Sequence, residues 1–573
     1  MGNAISLLRL ALADFMETLR GYQVLKDSLQ RSPGLPVVDD PTGTTSRSFW
    51  MHPPSPIAKH CSEIPDYADF VIIGSGITGT SVARRLLQGC RAAGWDSVRV
   101  LMLEARDACS GATGRYVRHS ICAGPSLWEV TLPHPPIRYR NGGHISPPLY
   151  HDWAALQKQY GDVSAQKLIK FRLAHLQELQ RVAEEEGILD KSQWRAVDLV
   201  DVYYDKRSFD KAKEKLSKYQ RDLPFEASHH RVYEAAEAIE TFHLADDVAG
   251  CIAGGAGAIH PYKFVTGILS SLLKRYPDNF FLCTNTPCVS ISSPSASTSY
   301  YTVTATKGKT HTPHVIHATN GWCAHLLEPM RAKIVPIRGN MSAQRPGQSL
   351  LPTTVSHAYV FYPSSGGFDY LTQLPNGERE LMLGATFAQS TGYGEVGNTD
   401  DRVYNKSIAA RLGGVLPRYF GEKNWGAEAQ PADGDDDDEN PGIGWDQGRT
   451  KAIWSGILGI SVDLMPWVGR LPTAASGRPE PPVIPSSPRV LGVGAKREDE
   501  VSFGAAPGEW IAAGYTGEGM VHAWLSGKAL AGMILGTEKE DKLAEWFPEA
   551  LRVTHARWRK AKLEALAASV SGE

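Results

Sequence analysis

Two hydrophobic periods alternate along this chain. Phe70, Val71, Ile72 and Ile73 form a short apolar run, residues 98–103 form another, and between them residues 78–91 carry apolar positions at helical spacing. Strand, helix, strand is the predicted order. Residues 152–187 repeat Leu, Ile, Phe and Val every three or four positions with charges outward, and 204–241 continue as helix around Leu216, Tyr219 and Ala235. Further strands are predicted at 195–204, 281–292, 300–306, 314–318, 357–362, 380–384 and 509–513, with a helix over about 521–535. Helical runs with dispersed strands suit an α/β architecture assembled from separated segments, with an inserted α+β domain built on a largely antiparallel sheet. No internal repeat is visible.

The turn after the first strand reads Gly74-Ser75-Gly76-Ile77-Thr78-Gly79, a G-x-G-x-x-G pattern that opens the helix. Gly74 permits the tight turn, Gly76 lets backbone approach a pyrophosphate at the helix N-terminus, and Gly79 allows close packing of helix on strand. Glu104 closes the second strand and can accept hydrogen bonds from ribose hydroxyls. It stands further along than the ~20 residues usual for this fingerprint, which a longer helix and the loop at 94–97 accommodate. The unit is a dinucleotide site. One strong G-x-G-x-x-G is present, so no second, nicotinamide-binding unit is evident.

Beyond the fingerprint come Glu104-Ala105-Arg106, then Ser110-Gly111-Ala112-Thr113-Gly114-Arg115, GAIHPYKFV at 257–265, ATNGW at 318–322, PIRG at 336–339, WSGILGISVDLMP at 454–466 and GYTGEGM at 514–520. In this order the set resembles the flavin-dependent amine and D-amino-acid oxidoreductases that include glycine oxidase and sarcosine oxidase, over roughly residues 66–536. The resemblance implies a glutathione-reductase-type, Rossmann-like FAD-binding domain and FAD rather than NAD. It implies cofactor contacts from the fingerprint residues 74–79, from Glu104, Ala105 and Arg106, and from Ser110, Thr113, Gly114 and Arg115. It implies more from Asn141, Gly142, Gly143 and His144, from Val289, from Ala318, Thr319, Asn320 and Gly321, from Asp463, and from Gly514, Gly517, Glu518, Gly519 and Met520. For Asp463 a structural turn acid is the competing reading. Covalent-flavin relatives use a cysteine in the segment matching 454–463; this chain has none there, so non-covalent FAD is expected.

The catalytic candidates are His144, Glu518 and Arg338. His144 lies in the loop expected beside the flavin ring, and a purely structural histidine is the alternative. Glu518 and Val521 stand where sarcosine oxidases have His and Lys, and that lysine helps to hold the substrate carboxylate. Its loss argues against a simple N-methyl amino acid. Glu518 either attracts a substrate ammonium or points to solvent, and Arg338 either binds a substrate carboxylate or organises the domain junction. His260 is expected to cap or pack ahead of a helix starting near Pro261.

Relatives run directly from the SGATGR motif into N-G-G-H. Here residues 116–140 intervene, with neither strand nor helix period and with Pro125, Pro133, Pro135 and Pro136. The codons of Arg115-Tyr116-Val117 can spell a splice-donor-like GTATGT, and those of Tyr139-Arg140 an acceptor-like CAG. Two readings follow: a retained intron in the translated frame, or a genuine loop of this lineage.

Composition bounds the rest. With 573 residues, 42% hydrophobic and 21% charged, the chain can bury more than one core. Its domains are expected as an arm at 1–65, FAD-binding segments at 66–150, 251–335 and 451–545, substrate-domain segments at 151–250 and 336–450, and a tail at 546–573. The net charge of −2 gives no reason to expect nucleic acid. The eight cysteines include no C-x-x-C pair and suit free thiols in a reducing compartment, and no metal signature appears. The acidic run 433–439 lacks EF-hand spacing and reads as a solvated loop; residues 472–508 read as an exposed insertion. Met1-Gly2-Asn3-Ala4-Ile5-Ser6 fits a myristoylation pattern ahead of an amphipathic helix at 4–30, which would anchor weakly. A proline- and serine-rich extended arm at 31–67 follows. No span or secretory signal is seen, so a cytoplasmic protein with a membrane-associated fraction is expected.

The resemblance implies oxidation of a C–N bond of an amine or amino acid by hydride transfer to flavin N5, then imine hydrolysis. The electron acceptor is O2 or another carrier. The alternatives are a flavin dehydrogenase of a non-amine substrate such as a hydroxy acid, and an impaired FAD-binding protein or gene-model artefact caused by residues 116–140.

Overall fold

The computed structural model describes residues 23, 27, 29–37, 46–115, 142–294, 300–363, 367–385, 394–428, 448–480 and 504–563. Residues 116–141, the acidic run at 433–439, most of the 472–508 insertion, Gly2 and most of the expected N-terminal helix lie outside them.

In chain order the strands begin β1 Phe70–Ile73, β2 Val100–Leu103, β3 His144–Ile145, β4 Arg195–Tyr203, β5 Arg231–Glu234 and β6 Gly250–Ala258. Next come β7 Phe280–Cys283, β8 Cys288–Ser292, β9 Tyr301–Ala305, β10 Gly308–Thr312, β11 His314–His317 and β12 Ile334–Gln344. The last are β13 His357–Tyr362, β14 Asp369–Gln373, β15 Leu381–Ala385, β16 Thr450–Ser461, β17 Trp467–Arg470 and β18 Gly508–Ala513. The longer helices are α1 Ile77–Ala92, α2 Leu149–Tyr160, α3 Asp162–Glu185, α4 Lys206–Asp222, α5 Pro261–Arg275, α6 Lys406–Phe420 and α7 Ala523–Leu535.

A six-stranded sheet in the order β17-β18-β11-β1-β2-β7 forms the nucleotide-binding layer, parallel except for β17 at its edge. Its strands β1 and β2 are apolar at every position because both faces are covered. Phe70, Ile72, Val100 and Met102 share a core with Val82 and Leu86 of α1 and Phe264 and Ile268 of α5. Val71, Ile73, Leu101 and Leu103 face a core with Tyr301 and Val303 of the small antiparallel sheet β10-β9-β8.

A nine-stranded sheet runs β16-β12-β15-β14-β13-β4-β6-β3, with β5 also on β6, and all its pairings but β13 with β4 are antiparallel. One face packs Tyr359, Phe361, Leu371 and Leu383 against Ile408, Leu412 and Leu416 of α6. β6 and β16 belong to the nine-stranded sheet although they begin about where FAD-binding segments are expected, and so does β3, which precedes residue 150.

Local corrections have local causes. The helix expected over 152–187 is two helices, broken at Gly161, whose φ of +75° no continuing helix allows. The helix expected over 204–241 is α4, then β5, then a short helix Ala235–Phe242. The strand expected over 281–292 is β7 and β8, joined by a turn in which Asn285 has φ +50°. Among the described residues no helix is long and apolar enough to cross a membrane.

Candidate functional site

The turn after β1, the ends of β2 and β11, and the segment entering α7 open onto one cavity. Gly74, Gly76, Ile77, Thr78, Glu104, Ala105, Arg106 and Thr113 line it, as do Ala318, Thr319, Asn320, Gly517 and Gly519. The fingerprint glycines serve different ends. Gly74 has φ +108° and a Cβ there would stand 2.6 Å from the Ala318 carbonyl oxygen; a Cβ on Gly79 would stand 2.0 Å from that of Gly74. At Gly76 the nearest atom would be Thr113 Oγ1 at 3.1 Å, so its bareness shapes the cavity more than the packing.

Glu104 is held in place. Its Oε2 accepts the Ser75 N–H (3.0 Å) and hydroxyl (2.7 Å), and its Oε1 accepts the Arg106 N–H (3.1 Å). The Thr78 hydroxyl donates to Tyr515 Oη at 2.9 Å and the Gly514 N–H to Asn320 Oδ1 at 3.0 Å, tying the entrance of α7 to the first turn of α1 and to the segment after β11. Two helix N-termini thus meet at one cavity, an arrangement that suits anionic groups at both ends.

Buried polar atoms test whether FAD fits here. Thr319 Oγ1, Trp322 Nε1 and both ring nitrogens of His325 are buried without a hydrogen-bond partner, and all three residues line the cavity. Buried polar groups are rarely left in this state. A ligand rich in hydroxyls, ring nitrogens and phosphate oxygens would satisfy them, and FAD is one.

Arg106 and Arg115 frame the second cofactor loop through one carboxylate. Asp401, fully buried, receives Arg106 Nη1 at 2.9 and 3.0 Å and lies 3.6 Å from Arg115 Nε. Arg115 also donates to the carbonyls of Ser46 and Asp401, and Trp454 Nε1 donates to the Arg115 carbonyl at 2.8 Å. Ser75, Gly79, Ser110, Gly114, Arg115, Gly321, Gly514 and Met520 stand behind the cavity wall rather than in it.

Several expected positions stand elsewhere. Glu518 neither faces solvent nor offers an open carboxylate: it is 6% exposed, with Arg172 Nη2 of α3 at 3.2 Å from Oε2. Burial lowers the Arg172 pKa, but Glu518 and Asp152 outweigh it and hold the guanidinium above its ordinary value. His522 Nε2 accepts from Arg172 Nε at 3.2 Å, so its proton sits on Nδ1, 3.1 Å from the Glu518 carbonyl oxygen. Burial first, then Arg172, holds His522 well below the ordinary histidine range. Arg338 forms a two-pronged pair with Glu395 at 2.7 and 3.0 Å and donates to the Asp400 carbonyl, which places it at the junction and not in the cavity. Asp463 is a turn acid, not a cavity residue. Its Oδ1 accepts the Ser461 hydroxyl at 2.6 Å and Arg557 grips both oxygens at 2.8 and 3.0 Å; against its burial, Arg557 holds the carboxyl below the ordinary range.

Val289 is 46% exposed at a β-bulge, and its neighbour Cys288 lines the cavity instead. His144 is fully buried in β3, edge-on to Tyr370 at 6.0 Å; Gly142 and Gly143 before it have φ of +113° and +81°. These three are not cavity-lining, and Asn141 is outside the described residues. His260 caps α5, its Nδ1 accepting the Lys263 N–H at 3.3 Å.

The cavity also has walls that carried no motif. Gly34, Leu35 and Pro36 of the N-terminal arm line it, and so do His325 and Leu326. Trp322 and Tyr515 fall inside quoted motifs, but nothing in their spacing marked them individually.

The family model of the FAD dependent oxidoreductases (DAO) matches residues 69–533. Comparison with curated protein sequences finds no match. Among solved structures, L-proline dehydrogenase from P. horikoshii aligns with a TM-score of 0.54 at 16% identity, over 87% of this chain and 100% of that one. Glycine oxidase from Bacillus cereus ATCC 14579 aligns at 0.52 and 14%, over 83% and 97%. L-amino acid deaminase from Proteus myxofaciens, in complex with anthranilate, aligns at 0.53 and 11%, over 89% and 96%. The chain belongs to the DAO family of FAD-dependent oxidoreductases.

Proposed function

We propose that this protein oxidises the C–N bond of an amine or amino acid. The observation that carries the reading is the cavity where the N-termini of α1 and α7 converge, lined by buried polar atoms without protein partners. The similar structures are named for proline, glycine and other amino acids, which supports an amino substrate. Bound FAD would accept a hydride from the carbon next to the nitrogen, leaving an imine that water hydrolyses. The chain supplies position and a dry wall. At the α7 end Tyr515 is the titratable side chain among the described lining residues, and burial pushes its hydroxyl up so that it stays neutral. That suits an amine bound unprotonated, which needs no dedicated base. Arg338 and Arg172 are both paired with carboxylates of the chain, which supports a substrate held without either of them.

The test is a visible spectrum of the purified chain before and after anaerobic addition of amines, amino acids and hydroxy acids. Bleaching by amines or amino acids supports the reading; bleaching by hydroxy acids alone replaces it with the dehydrogenase alternative. Readmitting oxygen then separates O2 from another electron carrier. The position of residues 116–140 between Arg115 and Gly142 favours one second reading, an impaired FAD-binding protein. It is upheld if only a form lacking 116–140 takes up flavin. Cytoplasmic residence with weak attachment through Gly2 is part of the proposal, and fractionation of a Gly2→Ala variant tests it.

A further inference from the structure

Cys61 and Cys283 lie 222 positions apart in the sequence and pair across a short antiparallel bridge. The Ser62 N–H donates to the Leu282 carbonyl at 2.8 Å and the Thr284 N–H to the His60 carbonyl at 3.0 Å. These two bonds bracket the cysteines, so Cys61 and Cys283 occupy a non-hydrogen-bonded site of the bridge. Such opposed residues have Cα atoms ~4.5 Å apart and side chains close together, within the ~4.4–6.8 Å that a disulfide spans.

The two thiols differ in the way a stepwise oxidation requires. Cys61 is exposed, and the Lys307 ammonium stands 3.5 Å from its sulfur. Cys283 is buried and donates to the Ser62 carbonyl at 3.1 Å; burial, then the neighbouring Cys61 sulfur, push its thiol up to about 12. Attack on an oxidant therefore starts at Cys61, the sulfur of the two that an oxidant can reach. Among the described cysteines both are free thiols in the structure.

We propose that Cys61 and Cys283 are a redox modification site that closes to a disulfide when the protein meets hydrogen peroxide. Cys61 sulfur attacks one peroxide oxygen, the O–O bond breaks, and water leaves with Cys61 as a sulfenic acid. Cys283 sulfur then attacks Cys61 sulfur, the S–O bond breaks, and a second water leaves. Two thiols lose two hydrogens and two electrons, and one peroxide becomes two waters. The bond would pin the arm to the edge strand whose last carbonyl, that of Cys283, accepts the Glu104 N–H at 2.9 Å. The inference rests on the thiol geometry and on neither the amine substrate nor the flavin.

The experiment treats the purified full-length protein with graded hydrogen peroxide, blocks remaining thiols, and maps tryptic peptides. A Cys61–Cys283 linked peptide is expected, with loss of two hydrogens from the intact mass, reversal by dithiothreitol and absence in Cys61→Ser. Circular dichroism of the Cys61→Ser variant confirms that it folds, since the site is exposed. Recovery of both cysteines blocked, of Cys61 as sulfinic acid with Cys283 still free, or of Cys61 linked between two chains would overturn the proposal. The flavin spectrum, recorded on the same sample, reports separately on the cofactor.

Discussion

Arg172 and Glu518 form a buried ion pair, with Nη2 3.2 Å from Oε2, that joins α3 to the glycine-rich segment entering α7. The acid between two cavity-lining glycines is therefore neutralised by protein. Removing one partner from a buried pair costs ~3–5 kcal/mol because the other charge is stranded. Asp152 and His522 still contact Arg172, so Glu518→Gln is expected at the lower end, about 3 kcal/mol. Adding Arg172→Met should recover part of the loss. A double-mutant cycle by thermal or urea unfolding measures it, and additive effects would deny the coupling.

Arg338 gives a second, contrasting forecast. As a partner of Glu395, its replacement by Met should lower the melting temperature while leaving the preference between an amino acid and its decarboxylated amine unchanged. A substrate-anchoring arginine would do the reverse. KM for both substrates, alongside a melt, decides.

Gly79→Ala should fail more severely than Gly76→Ala. The first places Cβ against backbone at 2.0 Å, and the second against a threonine hydroxyl at 3.1 Å that can shift. The expected result is an apo protein that does not fold stably for Gly79→Ala. Gly76→Ala should fold with FAD affinity lowered about tenfold, a change of ~1.4 kcal/mol. Circular dichroism and flavin titration read both.

The arm makes its own prediction. Leu35 and Pro36 line the cavity, and the Thr399 hydroxyl donates to the Pro33 carbonyl at 3.1 Å. Leu35→Gly with Pro36→Gly should leave the apo melting temperature in place and speed FAD release, seen as a rise in free-flavin fluorescence on dilution. Equal release rates would mean the arm plays no part in retention.

Acid should destabilise the fold before its carboxylates titrate. Burial holds His175 neutral down to about 4 against an ordinary value of 6.5, and His522 and His260 are lowered in the same direction. The unfolded chain thus takes up protons first, so stability is full above pH 6.5 and falls as pH drops from 6.5 towards 4, by on the order of 3 kcal/mol for His175. His175 Nε2 accepts the Leu525 N–H at 3.2 Å, so its protonation also disturbs the first turn of α7. In His175→Gln the decline over this window should flatten; an unchanged slope would discount the group.

The sequence was most legible where one residue type has one physical use. β1 and the fingerprint turn were readable because apolar runs and glycines there answer to strands covered on both faces and to backbone contacts. β6 was not, since GCIAGGAGA has no alternation. A Cβ on Gly250 would meet Phe209 at 2.3 Å and one on Gly254 would meet His230 at 2.8 Å, so this strand is bare to let α4 and its following turn lie on it. Charged candidates were the least legible. Glu518, Arg338 and Asp463 stood in motifs, but Arg172, Glu395 and Arg557, which satisfy them, lie 346, 57 and 94 positions away, and spacing carries no trace of such pairings.

The Asp401 carboxylate, carried between β15 and α6, joins the two arginines that frame the cofactor loop. Swinging the nine-stranded sheet away from the nucleotide layer would leave three charges stranded in low dielectric, a barrier of several kcal/mol for each. These buried contacts therefore act as a clasp that opposes a jaw-like parting of the two layers.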